Sequence, residues 1–401
     1  KSNYSCVEAN LSQNIMSVSW TDHLLQGKGD GQLKTVEALK RRMQTWQGEL
    51  GIDTIYWRQL LTKREGIFSS APGSDQSDAL KSKCSVDWDD FAIVPELAHE
   101  LGMSVYLYVS VFDDGRPLPP KEERETSYHN RGHGQHLTWQ SSFTINHPEY
   151  LVVNRKGDKK QWGVLSLSYP EVRNHLCERF QELLVGYDFD GLFICLRSQS
   201  KPPDFADEFG YNEPIRDEYC KRYGKDILVE NFDNNLWYDL QGEYLSTFIN
   251  QLKNALNQSD HKLGVGCARG DVIGHPIGNT RLQWRDWVDN GLLDHLVINQ
   301  YSDKCPSMWF DLWPMHRGTG YTQNYINSLN MPTLEDQLTQ EYGPTIQNTS
   351  ANLYVARQWD KRSITAETNL LAHPAVNGLV YSSFRYDNSA HIKNHGGDWN
   401  V

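Results

Sequence analysis

No stretch of the chain approaches the roughly 18–20 consecutive apolar residues that a membrane span requires. No run of lysine and arginine is long enough to form a nucleic-acid footprint, and the formal charge of −12 repels phosphate backbones. The seven cysteines (Cys6, Cys84, Cys177, Cys195, Cys220, Cys267 and Cys305) are scattered and contain no CxxC pair, so a zinc framework is not indicated. Cys195 and Cys267 fall inside apolar, strand-like runs, where a thiol acts as a small hydrophobe. There is no low-complexity linker and no internal repeat beyond an alternation of short apolar runs with amphipathic stretches. These absences exclude a membrane-spanning protein and a nucleic-acid binder, and they leave no seam at which to divide the chain.

Aromatic residues are abundant. Among 401 residues there are 13 Trp and 20 Tyr. They suffice to fill a large core, and surplus rings would suit stacking against sugars. Eight apolar or β-branched runs of strand length occur at 15–20, 54–57, 104–111, 191–196, 262–268, 295–300, 352–356 and 378–383, with helical stretches between them. Helices are expected at 36–50, closed by Gly51, at 89–101, closed by Gly102, from Pro170 to about Gly186, and at 244–256. Alternating βα units predict a parallel sheet, and eight strands are the number that closes a barrel. The expected architecture is therefore α/β, a single (β/α)8 TIM barrel spanning residues 1–401, with long loops after strands 3 and 4. In such a barrel those loops lie at the C-terminal face, where active sites are built.

Three segments, "ELGIDTIYWR" (49–58), "YDFDGLFI" (187–194) and "WVDNGLLDHLVINQYS" (287–302), resemble the family-10-like glycosyl hydrolases, which are barrel proteins. The resemblance implies the fold and a glycosidase class, not a substrate. The chain departs from that family's usual pattern after the fourth strand. There Cys195-Leu196-Arg197 stands where an acidic pair is common.

The residues at the predicted strand ends include Asp22 with His23, Arg58, Asp113 with Asp114, Arg197, Arg269 with Asp271, Gln300 with Asp303, Gln358 with Asp360, and Arg385. Four of these are arginines, whose planar fork of donors matches a carboxylate or sulfate bidentately. The competing account pairs each arginine with a neighbouring aspartate in a structural network. The segment "SYHNRGHGQHLTW" (127–139) adds His129, Arg131, His133, His136 and Trp139. A histidine near its ordinary pKa can take a proton from water, whereas a metal site would need support from Cys, carboxylate or helix-spaced His that this segment lacks.

An Asp at the first strand end, with Arg and His five residues apart after the third, is similar to the arrangement in glycoside hydrolase family 156, the inverting sialidases. That resemblance implies Asp22 as general acid and His136 as the base that activates water, with Arg131 and Arg197 gripping a sugar carboxylate. Glu213, in the Asn-Glu-Pro at 212–214, is a rival acid, although the same pattern also starts helices. Arg58, Arg131, His133, Arg197, Arg269, Gln300, Asp303, Gln358, Arg385 and Trp139 are the candidate substrate-binding residues.

The expected activity is hydrolysis of an anionic glycan, with sialic acid first and uronic or sulfated sugars next, and with no cofactor or metal. A carbohydrate-binding barrel without activity and a metal-dependent hydrolase are the alternatives. The expected partner is an oligosaccharide or polysaccharide with acidic groups. Nucleic acid and membrane spans are excluded as partners, and a homodimer is the possible assembly. The first residue, Lys1 rather than Met, is compatible with a removed signal peptide, so the expected location is secreted or periplasmic, and otherwise cytoplasmic.

Overall fold

The computed structural model describes residues 13–58, 86–112, 114–116, 139–196, 207–271, 280–298, 332–357 and 363–387. Eight parallel strands close into a barrel: β1 Asn14–Val18, β2 Ile52–Arg58, β3 Ser104–Ser110, β4 Gly191–Cys195, β5 Lys262–Gly266, β6 His295–Ile298, β7 Asn352–Ala356 and β8 Gly378–Ser382. Each strand pairs with its neighbour in the chain, and β8 returns to β1, with Ile15 opposite Val380 and Ser17 opposite Ser382. All eight strands fall on the runs legible in the sequence.

Helices lie between the strands. Val36–Leu50 begins at Thr35, whose side chain accepts from the Ala38 amide, and it ends at Gly51 in the left-handed conformation with φ 62°. Asp90–Glu100 and Pro170–Leu184 follow the sequence reading closely. The helix expected at 244–256 starts ten residues earlier, as Asn234–Asn257. Its early turns are masked in the sequence by Gly242, which has a tertiary purpose: a Cβ there would lie 2.5 Å from the Arg281 carbonyl oxygen. The stretch between β4 and β5 also contains a helix, Glu213–Tyr223, that buries only Ile215 and Tyr219 and so carries little amphipathic signal.

The core has two layers. Between barrel and helices pack residues such as Leu39, Met43, Trp46, Phe91, Leu176, Phe180, Phe248 and Leu252. Inside the barrel lie Ile15, Tyr56, Tyr106, Tyr108, Phe193, Cys195, Val297, Tyr354, Ala356 and Val380. The N-terminal end of the interior is plugged by polar rings. His295 stacks on Tyr106 at 4.7 Å and 10°, while its Nδ1 lies 2.8 Å from the Tyr56 hydroxyl and its Nε2 3.3 Å from the Tyr106 hydroxyl. Small residues make room for them. A Cβ on Gly191 would lie 2.9 Å from the Tyr106 ring, and one on Gly264 3.3 Å from His295. Asp190 lies at this end too, accepting from the Val105 amide at 2.8 Å and from His99 Nε2 at 2.9 Å.

The connection from β3 to the Pro170 helix is built from two antiparallel ribbons, Gly115–Arg116 with Trp139–Gln140 and Leu151–Val153 with Lys160–Leu165. The first ribbon brings the two ends of segment 117–138 side by side.

Candidate active site at the strand ends

Alternation along the strands sends Ser17, Arg58, Ser110 and Ser382 inward at the C-terminal end of the barrel, one step above the buried interior layer. All four are half-buried. They form a polar floor whose cation is Arg58, held 5.6 Å over the Tyr108 ring on the neighbouring strand.

Asp22 follows β1 directly, in the first turn of the helix Trp20–Gln26, where a carboxylate is favoured by the helix N-terminus. It is half-buried and accepts from the Ser19 hydroxyl at 2.8 Å. Its neighbour His23 is fully buried at the seam where β8 meets β1. His23 Nδ1 lies 2.6 Å from the Gly31 carbonyl oxygen and must carry the hydrogen. Burial lowers the His23 pKa, against the opposing pull of Asp387, so the ring is neutral and Nε2 accepts from the Ser383 hydroxyl at 2.8 Å. Asp387 in turn takes hydrogen bonds from Arg42 and from Trp46 Nε1, the latter at 3.0 Å. This network ties the segment after β8 to the segment after β1 and sets the path of the chain around Asp22. Ser383→Ala leaves a buried imidazole nitrogen without its donor and is expected to cost about 1–3 kcal/mol in urea unfolding. An unchanged midpoint would show that the seam does not depend on this bond.

Asp114, just beyond β3, is the most heavily engaged carboxylate among the described residues. It is 1% exposed and bonds to Arg179, Ser141, Thr144 Oγ1 at 2.8 Å and His175 Nε2 at 3.2 Å. Burial alone would raise its pKa, but Arg179, His175 and Ser141 hold it below the usual carboxylate range. Its backbone amide donates to Gly163, and its carbonyl accepts from Ser141. Asp114 therefore pins the root of the ribbon from which segment 117–138 leaves and returns. Its role is the structural pairing that the sequence left open.

The other predicted residues divide as follows. Arg269 is 7% exposed and donates to Gln337 Oε1 and the Pro332 carbonyl, both at 2.5 Å, which fastens the helix that precedes β7. Asp271 pairs with Arg285 at 2.9 Å and accepts from Trp284 Nε1 at 3.1 Å. Arg385 is half-buried in the helix Ser383–Asp387. Glu213 is exposed at the first position of its helix, while the side chain of its N-cap Asn212 is turned away to bond Leu151 and Val153. Trp139 contributes its backbone to the ribbon. Arg131, His133, His136, Arg197, Gln300, Asp303 and Gln358 lie outside the described residues. Among the described residues, no group of three or more His, Cys, Asp or Glu is placed to hold a metal ion. No helix there is long and apolar enough to cross a membrane.

Trp20 and Trp57, the tryptophans at the ends of β1 and β2, are fully buried and meet at 5.2 Å with their planes tilted by 41°, so they are core and not a sugar platform. A group of half-buried rings, Phe143, His147, Tyr150, Tyr169 and His175, lies on the connection between β3 and β4 and the helix that closes it. The spacing 143, 147, 150 is the one signal of this group in the sequence.

A closed eight-stranded parallel barrel with a polar floor, an aspartate after its first strand and elaborate connections after its third is the framework of a carbohydrate-active barrel. The chain belongs to the glycosyl hydrolase-like 10 family, which matches residues 31–311. Comparison with curated proteins gave no significant match. Among solved structures, the chain is similar to the catalytic domain of a β-amylase from Paenibacillus polymyxa, with TM-score 0.53 and 11% identity over 98% of this chain and 96% of that one. It also aligns with the PgaB (BpsB) glycoside hydrolase domain from Bordetella bronchiseptica, with TM-score 0.48 and 12% identity over 96% and 99% of the two chains. At these identities the likeness is one of fold. Family membership supports glycoside hydrolysis as the activity class.

Proposed function

We propose that the protein hydrolyses glycosidic bonds of an anionic glycan, with sialic acid the first substrate to test and uronic or sulfated sugars next. The observation that carries this reading is the position of Asp22: half-buried just after β1, on the same barrel face as Arg58 and as the ribbon that flanks the histidine segment. Asp22 serves as general acid to the leaving oxygen and His136 as the base that draws a proton from water. An inverting reaction needs such a pair across the ring, far enough apart to admit that water. A neutral base suits this substrate, because the sugar's own carboxylate disfavours a further negative charge nearby. Arg131 and Arg197 grip the carboxylate, as the similarity to family 156 implies, and Arg58 adds positive charge at the floor. Glu213 is the rival acid, from the first turn of its own helix.

The test is a screen of aryl glycosides of acidic sugars, sialosides first, against wild type, Asp22→Asn and Glu213→Gln. Loss of a general acid is expected to lower turnover by about 10²-fold or more in Asp22→Asn. Unchanged turnover in a folded Asp22→Asn protein removes Asp22 from the mechanism, and loss only in Glu213→Gln transfers the role.

A further inference from the structure

Most of the large rings among the described residues are core. Trp20, Trp46, Trp57 and Trp237 are each fully buried. Several other rings are only half-buried, and one group of them lies along the connection that follows β3. His175 stacks on Phe143 at 3.9 Å and 6°, Phe143 on Tyr150 at 5.7 Å, and His147 on Tyr150 at 5.4 Å, while Tyr150 meets Tyr169 at 4.7 Å. These five rings form one continuous array, and each reaches the surface. The His147 side chain is 43% exposed. Phe143, Tyr150 and Tyr169 pack against the core on one side and reach the surface on the other, which leaves aromatic surface available for contact.

The array is held in shape before anything binds. The His175 ring is fixed from its edge by Asp114, and His147 Nδ1 bonds the Glu149 carboxylate at 3.1 Å. Tyr169 stands at the N-cap position of the helix Pro170–Leu184, and its ring packs against the core. Ordered rings lose little conformational freedom on binding, which favours affinity from a small contact.

Charge around the rings narrows the ligand. Glu149, Glu171 and Glu213 are all exposed there. Glu149 bonds His147 and adjoins Tyr150 in the chain, and Glu171 follows Tyr169 by two residues; burial and then Glu171 and Glu149 raise the Tyr150 hydroxyl, while burial and Glu213 raise that of Tyr169. Carboxylates accept hydrogen bonds from hydroxyls and repel anions. The C–H faces of a hexose stack on aromatic rings, and its equatorial hydroxyls reach the rim. A nucleobase would stack as well, but the phosphates that come with it would be repelled.

We infer that Phe143, His147, Tyr150, Tyr169 and His175 form an accessory carbohydrate subsite that takes a neutral hexose stretch of a glycan chain. The inference rests on the glycan reading of the barrel but not on any catalytic residue. Position supports it. The array shares Asp114 with the root of the ribbon beside the barrel mouth. A glycan whose acidic terminus enters the mouth would lay its uncharged residues across these rings, so the protein would recognise a terminal acid together with the neutral chain that carries it.

The test is affinity electrophoresis of the full chain through gels containing neutral polysaccharides, namely xyloglucan, galactomannan and poly-N-acetyllactosamine. Wild type is expected to be retarded by at least one of them. A His147→Ala/Tyr150→Ala double variant is expected to bind at least about tenfold more weakly or not at all, since two rings of the stacking surface are lost. Tyr150→Phe, which keeps the ring, retains the retardation, and so does Tyr223→Ala, which removes an exposed ring elsewhere. Thermal melts show that each variant is folded. Absence of retardation by every neutral polysaccharide, or undiminished retardation in the folded double variant, overturns the subsite. The readout needs no turnover. A wild-type protein that hydrolyses no sialoside yet binds neutral glycan through these rings upholds the subsite and defeats only the catalytic reading.

Discussion

Asp114→Ala is expected to destabilise the protein by about 3–5 kcal/mol, the cost of removing one partner from a buried ion pair. The reason is the company the carboxylate keeps. Arg179, itself 9% exposed, would lose the buried carboxylate it pairs with, and Ser141, Thr144 and His175 would each lose an acceptor. Asp114→Asn keeps the shape and one acceptor oxygen but removes the charge, so a smaller loss of about 2 kcal/mol is expected from it. Because the same side chain anchors the ribbon Gly115–Arg116 with Trp139–Gln140, the asparagine variant should also be cut faster than wild type by a protease within 117–138. Urea unfolding and limited proteolysis check the two effects. A loss below about 1 kcal/mol in Asp114→Ala would mean that Arg179 finds another partner and that the hub is dispensable.

Acidification from pH 7 to pH 4 is expected to remove about 3 kcal/mol through His295 alone. Burial in the barrel interior lowers its pKa from 6.5 to about 4, against a smaller opposing influence from Asp294. The folded state thus binds fewer protons than the unfolded chain between these values. The stabilisation is fully present above pH 6.5, declines as the pH falls, and is gone below about 4. A shift of this size corresponds to about 3 kcal/mol at 1.36 kcal/mol per pKa unit. The chemistry is local. A neutral imidazole between Tyr56 and Tyr106 can accept from one hydroxyl and donate to the other, whereas an imidazolium would place a charge among Phe193, Val297 and Tyr354. His23 titrates in the same direction at the other end of the barrel and steepens the loss. Unfolding free energies measured from pH 7 to 4 in wild type and His295→Gln test this assignment. The variant is less stable at pH 7 but has a shallower pH dependence, and parallel curves would assign the acid lability elsewhere.

The eight strands were legible because each is a short apolar run set off from its neighbours, and a parallel barrel buries both faces of every strand. Capping chemistry marked helix ends equally well, at Gly51, Gly102 and Pro170. Where tertiary contact overrode local pattern, the reading shortened or missed elements. Gly242 sits mid-helix because the chain near Arg281 passes too close for a side chain, and the Glu213–Tyr223 helix has too narrow an apolar face to announce itself.

The sequence by itself determined the order and number of the strands, the enlargement of the connections after β3 and β4, and the positions of Asp22, Arg58 and Asp114 at strand ends. Those properties depend on hydrophobic period and chain order, which are local. Only the tertiary structure decided what each polar residue there does. Asp114 and Arg269 look in sequence like members of a site, yet they are taken up by Arg179 and by Gln337 and Pro332, partners more than 60 residues away in the chain. Trp20 and Trp57 stand at strand ends and are core, while half-buried rings at Phe143, Tyr150 and His175 reach the surface. A side chain's partner is set by which segments the closed barrel brings within about 3 Å, and no period in the sequence encodes that distance.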